Sequence, residues 1–420
     1  MLEFWYKERR TLVDFRRGPL GPYFDGFAAY LKKQGYTRHT GQTILGKCCV
    51  FNSFLMDKGI SRPKELNPSI IDSFLDAYLS DYRTTGPNVL RSTVKYMLEQ
   101  QLFSYLTKEG VIKLAKPKPV LTRYSWILNP YLKYLQEERQ FCKETLKRSN
   151  VMLSAFLDVL GDKVTRKQFR LLKAEDIDIY VKQHLKDSPE NLRTLVGTLR
   201  GFLRYCANQR YTSSDLSTII PSIPSYRLAT LPKGMEDSAL QRLLNAIPKD
   251  TPNGARNYAI VLLLMAYGIR GKSITALLLE DVCWPNSTIK IRAQKGGKEV
   301  VLPLLEPVGE AILNYLRYRP ETSFRELFLT VAAPFRPLNS MAVSIIVRNY
   351  MDKAGVKMPC SGTRTLRHSW AIRALAHGIP IKSIADVLGH RCLDNTFIYA
   401  KADLKTLREV AMPWPERRVP

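Results

Sequence analysis

The chain has 420 residues, of which 45% are hydrophobic, so it is not a disordered chain. At about 100–200 residues per domain, this length allows two to four domains with apolar cores. Its 64 Lys and Arg outnumber 38 Asp and Glu and give a formal charge of +26, which favours a polyanionic partner. Because the basic residues are spread along the whole chain, several domains are expected to contact phosphates. Charge alone leaves open a solvated basic surface or a ribosome-associated protein.

Cysteine usage and apolar runs limit where the chain resides. The seven cysteines are an odd set without a CxxC pair, which argues against a disulfide framework and a zinc ribbon. The first residues, MLEFWYKERR, contain no apolar signal core, and the longest apolar run, Ala259 to Tyr267, is too short to cross a bilayer. We therefore expect a cytoplasmic protein without a membrane partner.

An internal similarity with a spacing of about a hundred residues runs through the first half of the chain. The segment FAAYLKKQGYTRHT resembles YLKYLQEERQFCKET, VFNSFL resembles MLSAFL, ELNPSIIDSFL resembles LLKAEDIDIYV, and LFSYL resembles FLRYC. Four blocks in the same order favour a duplication, against the alternative that amphipathic helices match by chance. Apolar residues recur every three or four positions in each copy, which predicts two helical bundles.

Proline-rich segments separate the predicted domains. In KPKPVLTR, Pro117 and Pro119 prevent helix formation and indicate a stiff, extended link. The segment IIPSIPSYRLATLPKG contains three prolines and is typical of a longer linker. The predicted domains cover residues 1–116, 122–215 and 233–412, with a tail at 413–420.

The third predicted domain mixes helical and strand patterns. A helix that Gly268 would end in a left-handed conformation has its core-facing positions at Ile260, Leu263, Leu264 and Tyr267. Residues 288–293 and 299–302 alternate as strands around a hairpin turn at Gly296-Gly297. The expected fold is mainly α with a small β-sheet: two helical bundles followed by a mixed α+β domain.

A last helix is predicted near the end of this domain. Pro380 is well placed to begin it, and Gly389 to close it. The buried stripe is expected at Ile381, Ile384, Ala385 and Leu388.

Four segments of the last third carry a family resemblance. They are AYGIRGKSITALLLEDV with Arg270, IKIRAQKGGKEVVLPL with Lys295, GTRTLRHSWA with Arg367, and VLGHRCLDNTFIYA with His390 and Tyr399. In this order they resemble the motifs of the catalytic domain of the tyrosine recombinase (phage integrase) family. The helical repeats resemble more weakly the DNA-clamping domain of that family.

The resemblance implies cleavage of DNA through a covalent bond between Tyr399 and a 3′-phosphate. Such an attack places extra charge on the non-bridging oxygens, which Arg270, Arg364 and Arg367 would hold. Lys295 would protonate the leaving 5′-oxygen, and His390 would donate a hydrogen bond to the phosphate. Nearby cations are expected to favour the phenolate of the nucleophile.

Two positions depart from the family pattern. The second motif reads R-x-x-R, with Arg364 where the family usually has a histidine. A guanidinium binds phosphate well but does not accept a proton at neutrality, so the base for the tyrosine is left open. His368 is a candidate, although it also fits a packed structural residue. Ser273 stands where the family commonly has Glu, and Asp281 is a possible substitute for that carboxylate.

Neither a metal ion nor another cofactor is implied. The sequence has no carboxylate cluster of the kind that two-metal nucleases require. Four residues could be considered as zinc ligands, namely Cys360, His368, His390 and Cys392, but their spacing matches no standard zinc site.

The resemblance also implies partners and alternatives. Double-stranded DNA is the expected substrate, a homotetramer the expected assembly on it, and the nucleoid the expected location of bound protein. A terminal helix with Leu404, Leu407 and Val410 would dock on a neighbouring subunit or on its own domain. We expect a site-specific recombinase of a mobile element. A type IB topoisomerase and a DNA-binding family member that has lost catalysis are the alternatives.

Overall fold

Amphipathic helices make up most of the chain in this computed structural model, which describes residues 1–80, 87–113, 122–224, 233–293, 299–359, 361–390 and 392–400. The prediction of a mainly helical fold with a small sheet is confirmed. The described residues divide into two compact units, one from within 1–114 and 228–420 and the other from within 115–227. None of the described helices combines the length and apolar character of a membrane span.

The first bundle is built around its own apolar core, which includes Phe27, Phe51 and Ile71. Its helices are α1 (Arg9–Arg16), α2 (Gly21–Lys33), α3 (Arg38–Asp57), α4 (Pro68–Ser80), α5 (Pro87–Tyr96) and α6 (Ser104–Lys108). Short helical turns occur at Leu2–Phe4 and Pro63–Glu65, and a π-helical segment at Met97–Phe103.

The second bundle has a separate core that includes Tyr131, Phe156 and Ile177. Its helices are α7 (Ser125–Glu137), α8 (Lys143–Leu160), α9 (Arg166–Phe169), α10 (Ala174–Gln183) and α11 (Pro189–Asn208), with 3₁₀ turns at Gly161–Val164 and Leu216–Thr218. Leu216 and Ile220, which follow the expected boundary at residue 215, are also buried in this core.

The two bundles contain equivalent aromatic clusters at the positions that the sequence repeat aligns. In the first, the ring centroids of Phe27, Tyr30 and Tyr105 lie 5.4–6.3 Å apart. In the second, those of Tyr131, Tyr134 and Tyr205 lie 5.1–6.2 Å apart. Chance similarity between amphipathic helices does not account for the same three ring contacts, so the geometry favours a duplication.

The last region combines helices with a small sheet. Its helices are α12 (Asp237–Asn245), α13 (Pro252–Tyr267), α14 (Gly271–Thr275), α15 (Glu306–Leu316), α16 (Ser340–Lys353), α17 (Thr363–Ala376), α18 (Ile381–Leu388) and α19 (Asp394–Ala400), with a 3₁₀ turn at Leu279–Asp281. Its strands are β1 (Val282–Cys283), β2 (Thr288–Ile291) and β3 (Val300–Pro303).

The sheet is antiparallel, with the order β1-β2-β3. In the central strand, Ile289 pairs with Val282 on one side and with Leu302 on the other. Its side chain and that of Ile291 face the core, as the alternation predicts. The predicted turn at Gly296-Gly297 lies outside the described residues.

Helix ends in this region follow the predicted signals. Gly268 after α13 and Gly389 after α18 both adopt left-handed conformations, with φ of 60° and 63°. Pro380 is the N-cap of α18, whose buried residues are Ile384, Ala385 and Leu388. The four predicted core positions of α13 are all buried. Both glycine-terminated ends lie at the site described next.

Candidate active site

Helix α17 is held against the end of α13 by three side chains that succeed one another every three residues. Arg367 Nη1 donates to the Gly268 carbonyl at 3.0 Å, Trp370 Nε1 to Ala266 at 2.8 Å, and Arg373 Nη2 to Met265 at 3.1 Å. The last carbonyls of a helix lack partners within the helix. Side chains of α17 therefore cap α13, which fixes Arg367 in place.

A second helix end brings two arginines together. Arg367 Nη2 donates to the Leu388 carbonyl at 2.8 Å, and Arg270 Nη1 lies 3.4 Å from the same oxygen and 3.3 Å from the Gly389 carbonyl. These oxygens belong to the carbonyl end of α18, which is the negative end of the helix dipole and attracts cations. Two guanidiniums from α17 and the start of α14 thus meet there.

Neither guanidinium has a carboxylate partner among the described residues. Asp281, the acid considered as a substitute for the missing Glu, instead accepts hydrogen bonds from Arg292 Nε at 2.7 Å and from the Leu278 amide. Burial and the nearby Arg270 lower the pKa of Arg367 to about 10, so it remains charged at neutral pH. The site therefore carries uncompensated positive charge that a bound anion would neutralise.

Arg270, Arg292 and Arg367 line one cavity together with Ser273 and Gly389. Sequence reasoning missed Arg292, whose only signal is its position just before the predicted hairpin turn. Ser273 is buried and lines this cavity next to Arg270. The cavity has the donors expected of a phosphate site.

His390 has a defined protonation state. Its Nε2 lies 2.8 Å from Arg367 Nη2 and its Nδ1 lies 2.7 Å from the Thr396 hydroxyl. Because a guanidinium can only donate, Nε2 must accept and the proton must be on Nδ1. Burial, Arg367 and Arg270 lower the pKa of His390 to about 4, which agrees with a neutral ring. The expected hydrogen bond from His390 to a phosphate would need a proton on Nε2, which this state lacks.

Tyr399 is buried on α19, with 2% of its surface exposed. Its hydroxyl lies 2.9 Å from Nδ1 of His368 on α17. Burial raises the pKa of Tyr399, and Arg367, Arg364 and Arg270 lower it by less than burial raises it. The expectation that neighbouring cations favour the phenolate is therefore incomplete: in the free protein, desolvation outweighs the arginines and holds the phenol neutral.

The remaining predicted residues differ in how the structure places them. Arg364 is exposed on the first turn of α17, one turn before His368. Lys295, Cys360 and the predicted terminal helix with Leu404, Leu407 and Val410 lie outside the described residues. Five of the six predicted site residues therefore have described positions, on or next to α14, α17, α18 and α19.

Comparisons with known proteins identify the family of the chain. Residues 233–405 match the model of the phage integrase family. The chain is 31% identical over 422 residues to the integrase/recombinase y4rF of Sinorhizobium fredii, covering 99% of this chain and 96% of that protein. It is 29% identical over 288 residues to the tyrosine recombinase XerA of Pyrococcus furiosus, covering 69% of this chain and 93% of that protein.

Solved structures share the fold at low sequence identity. A lambda integrase dimer bound to a COC′ core site gives a TM-score of 0.53 at 14% identity, covering 77% of this chain and 90% of that one. The site-specific recombinase XerH, bound to its difH substrate before cleavage, gives 0.51 at 18% identity, covering 82% and 94%. With a relative of over 30% identity along its whole length, the chain belongs to the phage integrase family of tyrosine recombinases.

Proposed function

We propose that this chain is a site-specific DNA recombinase that cleaves and rejoins double-stranded DNA through a 3′-phosphotyrosine at Tyr399. The observation that carries the proposal is the pair Arg270 and Arg367, two guanidiniums without a carboxylate partner in the described residues, close to a buried tyrosine. Relatives named as integrases or recombinases, and neighbours solved on DNA, support the same function.

The proposed chemistry follows from the charges at the site. Attack of a phenolic oxygen on a phosphodiester passes through a pentacoordinate state with increased charge on the non-bridging oxygens. Arg270 and Arg367 are already oriented by helix carbonyls, so they can bind this charge without reorganisation. Arg364, exposed at the edge of the site, adds a third guanidinium. Because arginines supply the positive charge, cleavage needs no metal ion.

Roles for the other two site residues complete the proposal. Lys295, which lies outside the described residues, is assigned the protonation of the leaving 5′-oxygen on the motif alone, because an ammonium group can act as a general acid. The first role of His390 is to accept a hydrogen bond from Nη2 of Arg367, which holds that guanidinium in place. It can donate to a phosphate only if a proton moves to Nε2 when DNA binds.

Each helical bundle is proposed to have its own role in DNA binding or assembly. The second bundle and the domain beginning near residue 233 would enclose the core site, and the first bundle would bind further DNA or assist assembly. A tetramer would pair two sites; a lambda integrase tetramer bound to a Holliday junction is among the neighbours of similar fold. The presence of two helical bundles favours a recombinase of a mobile element over a minimal resolvase.

A nicked suicide duplex tests the proposal, because loss of a short fragment after cleavage traps the covalent adduct. Duplexes tiled across the DNA that flanks the gene are incubated with wild-type protein, with Tyr399→Phe and with Tyr318→Phe, an exposed tyrosine remote from the site. Wild type and Tyr318→Phe should form a protein–DNA adduct, with or without EDTA, and Tyr399→Phe should not. An adduct with Tyr399→Phe would refute the assignment of the nucleophile.

Two other outcomes would identify the alternatives. Relaxation of any supercoiled plasmid without sequence preference would indicate a type IB topoisomerase. Site-specific binding without any adduct would indicate a member of the family that has lost catalysis. This alternative should be excluded first, because Arg364 and Ser273 depart from the family pattern.

A further inference from the structure

We infer that His368 accepts the phenolic proton of Tyr399 during strand cleavage. This inference rests on the proposed function, since it concerns the same reaction. It assigns a base to a site whose second motif has Arg364 in the position that a histidine usually occupies. The sequence offered His368 only as one candidate base, and the tertiary contact with the Tyr399 hydroxyl now distinguishes it.

The contact is direct. His368 Nδ1 lies 2.9 Å from the Tyr399 hydroxyl, and the two ring centroids are 5.5 Å apart at an interplanar angle of 59°. A candidate base must lie within hydrogen-bond reach of the proton that it removes, and this distance satisfies that condition. Tyr399 belongs to the same small apolar core as Ala371 and Ala374 of α17, which holds α19 against that helix.

Other groups around the tyrosine are poor acceptors. Three arginines, Arg270, Arg364 and Arg367, interact with the tyrosine through their charge. A guanidinium has no lone pair available to accept a proton. His390 uses Nε2 to accept from Arg367 and Nδ1 to donate to Thr396. Among the described residues, His368 is the neighbour whose ring nitrogen both contacts the hydroxyl and can be unprotonated.

The resting protonation states make His368 the acceptor and Tyr399 the donor. Burial, followed by Arg364 and Arg367, lowers the pKa of His368, so the ring is neutral at physiological pH. With the proton on Nε2, Nδ1 accepts from the phenol, whose pKa burial keeps high. Without DNA, burial and the arginines disfavour the positive charge that forms on the imidazole. The negative scissile phosphate offsets this effect once DNA is bound.

The proton balance closes in both directions. As the Tyr399 oxygen bonds to phosphorus, its proton moves to His368 Nδ1, and the bond from phosphorus to the 5′-oxygen breaks with protonation of the leaving oxygen by a separate acid. In rejoining, the 5′-hydroxyl attacks phosphorus and gives its proton to the conjugate base of that acid, while the phosphotyrosine bond breaks and His368 returns its proton to the phenolate. No metal ion or redox step is needed.

The first test compares His368→Gln with His377→Gln on a suicide duplex that wild type cleaves. Gln can accept a hydrogen bond from Tyr399 but cannot take its proton, while His377 is exposed at the end of α17 and serves as the matched control. At neutral pH, His368→Gln should slow adduct formation about 100-fold or more, as expected for loss of a general base. DNA binding and thermal unfolding should match the control.

The pH dependence separates a base from a structural residue. Wild-type cleavage should be independent of pH once His368 is neutral, whereas His368→Gln should gain about tenfold per pH unit up to the pKa of Tyr399. Replacing Tyr399 with a fluorinated tyrosine of lower pKa should rescue His368→Gln more than wild type. An equal loss at every pH between about 6 and 9, without selective rescue, would overturn the inference.

Arg364→Ala supplies a second variant with little risk to folding, since Arg364 is exposed. Removing this cation should raise the pKa of His368, so the acid limb of the cleavage profile should shift to higher pH. An unmoved limb would count against His368. A wild-type protein that forms no adduct would instead refute the proposed function, so the two failures are distinguishable.

Discussion

Arg367 connects three parts of the site through one buried side chain. It binds the carbonyl ends of two helices, at Gly268 and Leu388, and donates to the ring of His390. A substitution there leaves polar groups without partners in a desolvated environment, which costs more than the lost hydrogen bonds alone. The residue proposed to bind the phosphate is thus also a structural one.

Arg367→Ala should therefore destabilise the protein, whereas Arg364→Ala should not. Loss of the donor to Gly268 and His390 is expected to cost about 2–4 kcal/mol of unfolding free energy. Arg364 is exposed, and its removal should change stability by less than about 0.5 kcal/mol. Thermal unfolding of the two variants measures the difference, and equal midpoints would contradict the contacts assigned to Arg367.

The neutral state of His390 predicts a pH dependence of stability. Its folded pKa of about 4 lies below the ordinary value of 6.5, so the unfolded chain takes up the proton first as the pH falls. Stability contributed by this histidine is complete above pH 6.5 and is lost as the pH falls towards 4.

A His390→Gln variant isolates that contribution, because the Gln carbonyl can still accept from Arg367 while having no titrating group. Between about pH 6.5 and 4, wild type should lose on the order of 1–3 kcal/mol more than the variant. Denaturant titrations at several pH values give this difference. Parallel pH curves for the two proteins would show that Nε2 does not accept from Arg367.

Sequence motifs predicted Arg270, Arg367, His390 and Tyr399 as site residues from their order and spacing in the chain, and the structure places them near one another. They could not reveal the contact between His368 and Tyr399, since it joins α17 to α19. Arg292 was missed for the same reason: its proximity to Arg270 depends on how β2 packs beside α14. Burial of Tyr399, which reverses the expected direction of its pKa, is likewise a property of the fold.

At the scale of elements, the site is made of helix ends. The carbonyl ends of α13 and α18 both terminate at left-handed glycines, and side chains of α17 bind both. Local signals predicted these ends well, because a glycine past an apolar stripe has a simple steric explanation. They could not predict which side chains satisfy the freed carbonyls.

Gly268→Ala should disturb the site more than the same change at Gly355. Both glycines have positive φ, 60° and 66°, so both substitutions carry the backbone strain of a left-handed residue, about 1–2 kcal/mol. A Cβ at Gly268 would lie 2.8 Å from the Trp370 ring, whereas one at Gly355 would meet no atom within 4 Å.

The expected result is an additional loss of roughly 1–3 kcal/mol for Gly268→Ala, because the displaced indole overpacks the junction of α13 and α17. Its adduct yield should fall as well, since the Gly268 carbonyl orients Arg367. Thermal unfolding and the suicide-duplex assay measure the two effects. Equal behaviour of both alanine variants would mean that Trp370 can move without consequence.

At the scale of the whole molecule, repeated sequence blocks correspond to repeated contacts. Phe27, Tyr30 and Tyr105 form in one bundle the cluster that equivalent residues form in the other. Helical periodicity predicts an apolar stripe on every helix, which is what the core of each bundle requires. Beyond residue 215, Leu216 and Ile220 are also buried in the core of the second bundle.

Burial of Tyr399 within its own chain also makes a prediction about the proposed tetramer. The tyrosine is almost fully buried and contacts His368 of the same chain, so each subunit should attack with its own nucleophile beside its own arginines. A mixture of Tyr399→Phe and Arg270→Ala proteins should then form no covalent adduct on the suicide duplex, because every subunit lacks either the nucleophile or a phosphate-binding arginine.

Wild type mixed with Tyr399→Phe provides the control, and its adduct should follow the wild-type fraction. If tyrosines instead reached a partner's site, the mixture of variants would restore cleavage, and the adduct would carry the Arg270→Ala chain. That result would require α19 to leave its packing against α17 and α18 and expose Tyr399 upon assembly. It would break the contact with His368, so the mixing experiment tests the subunit arrangement and the assigned base together.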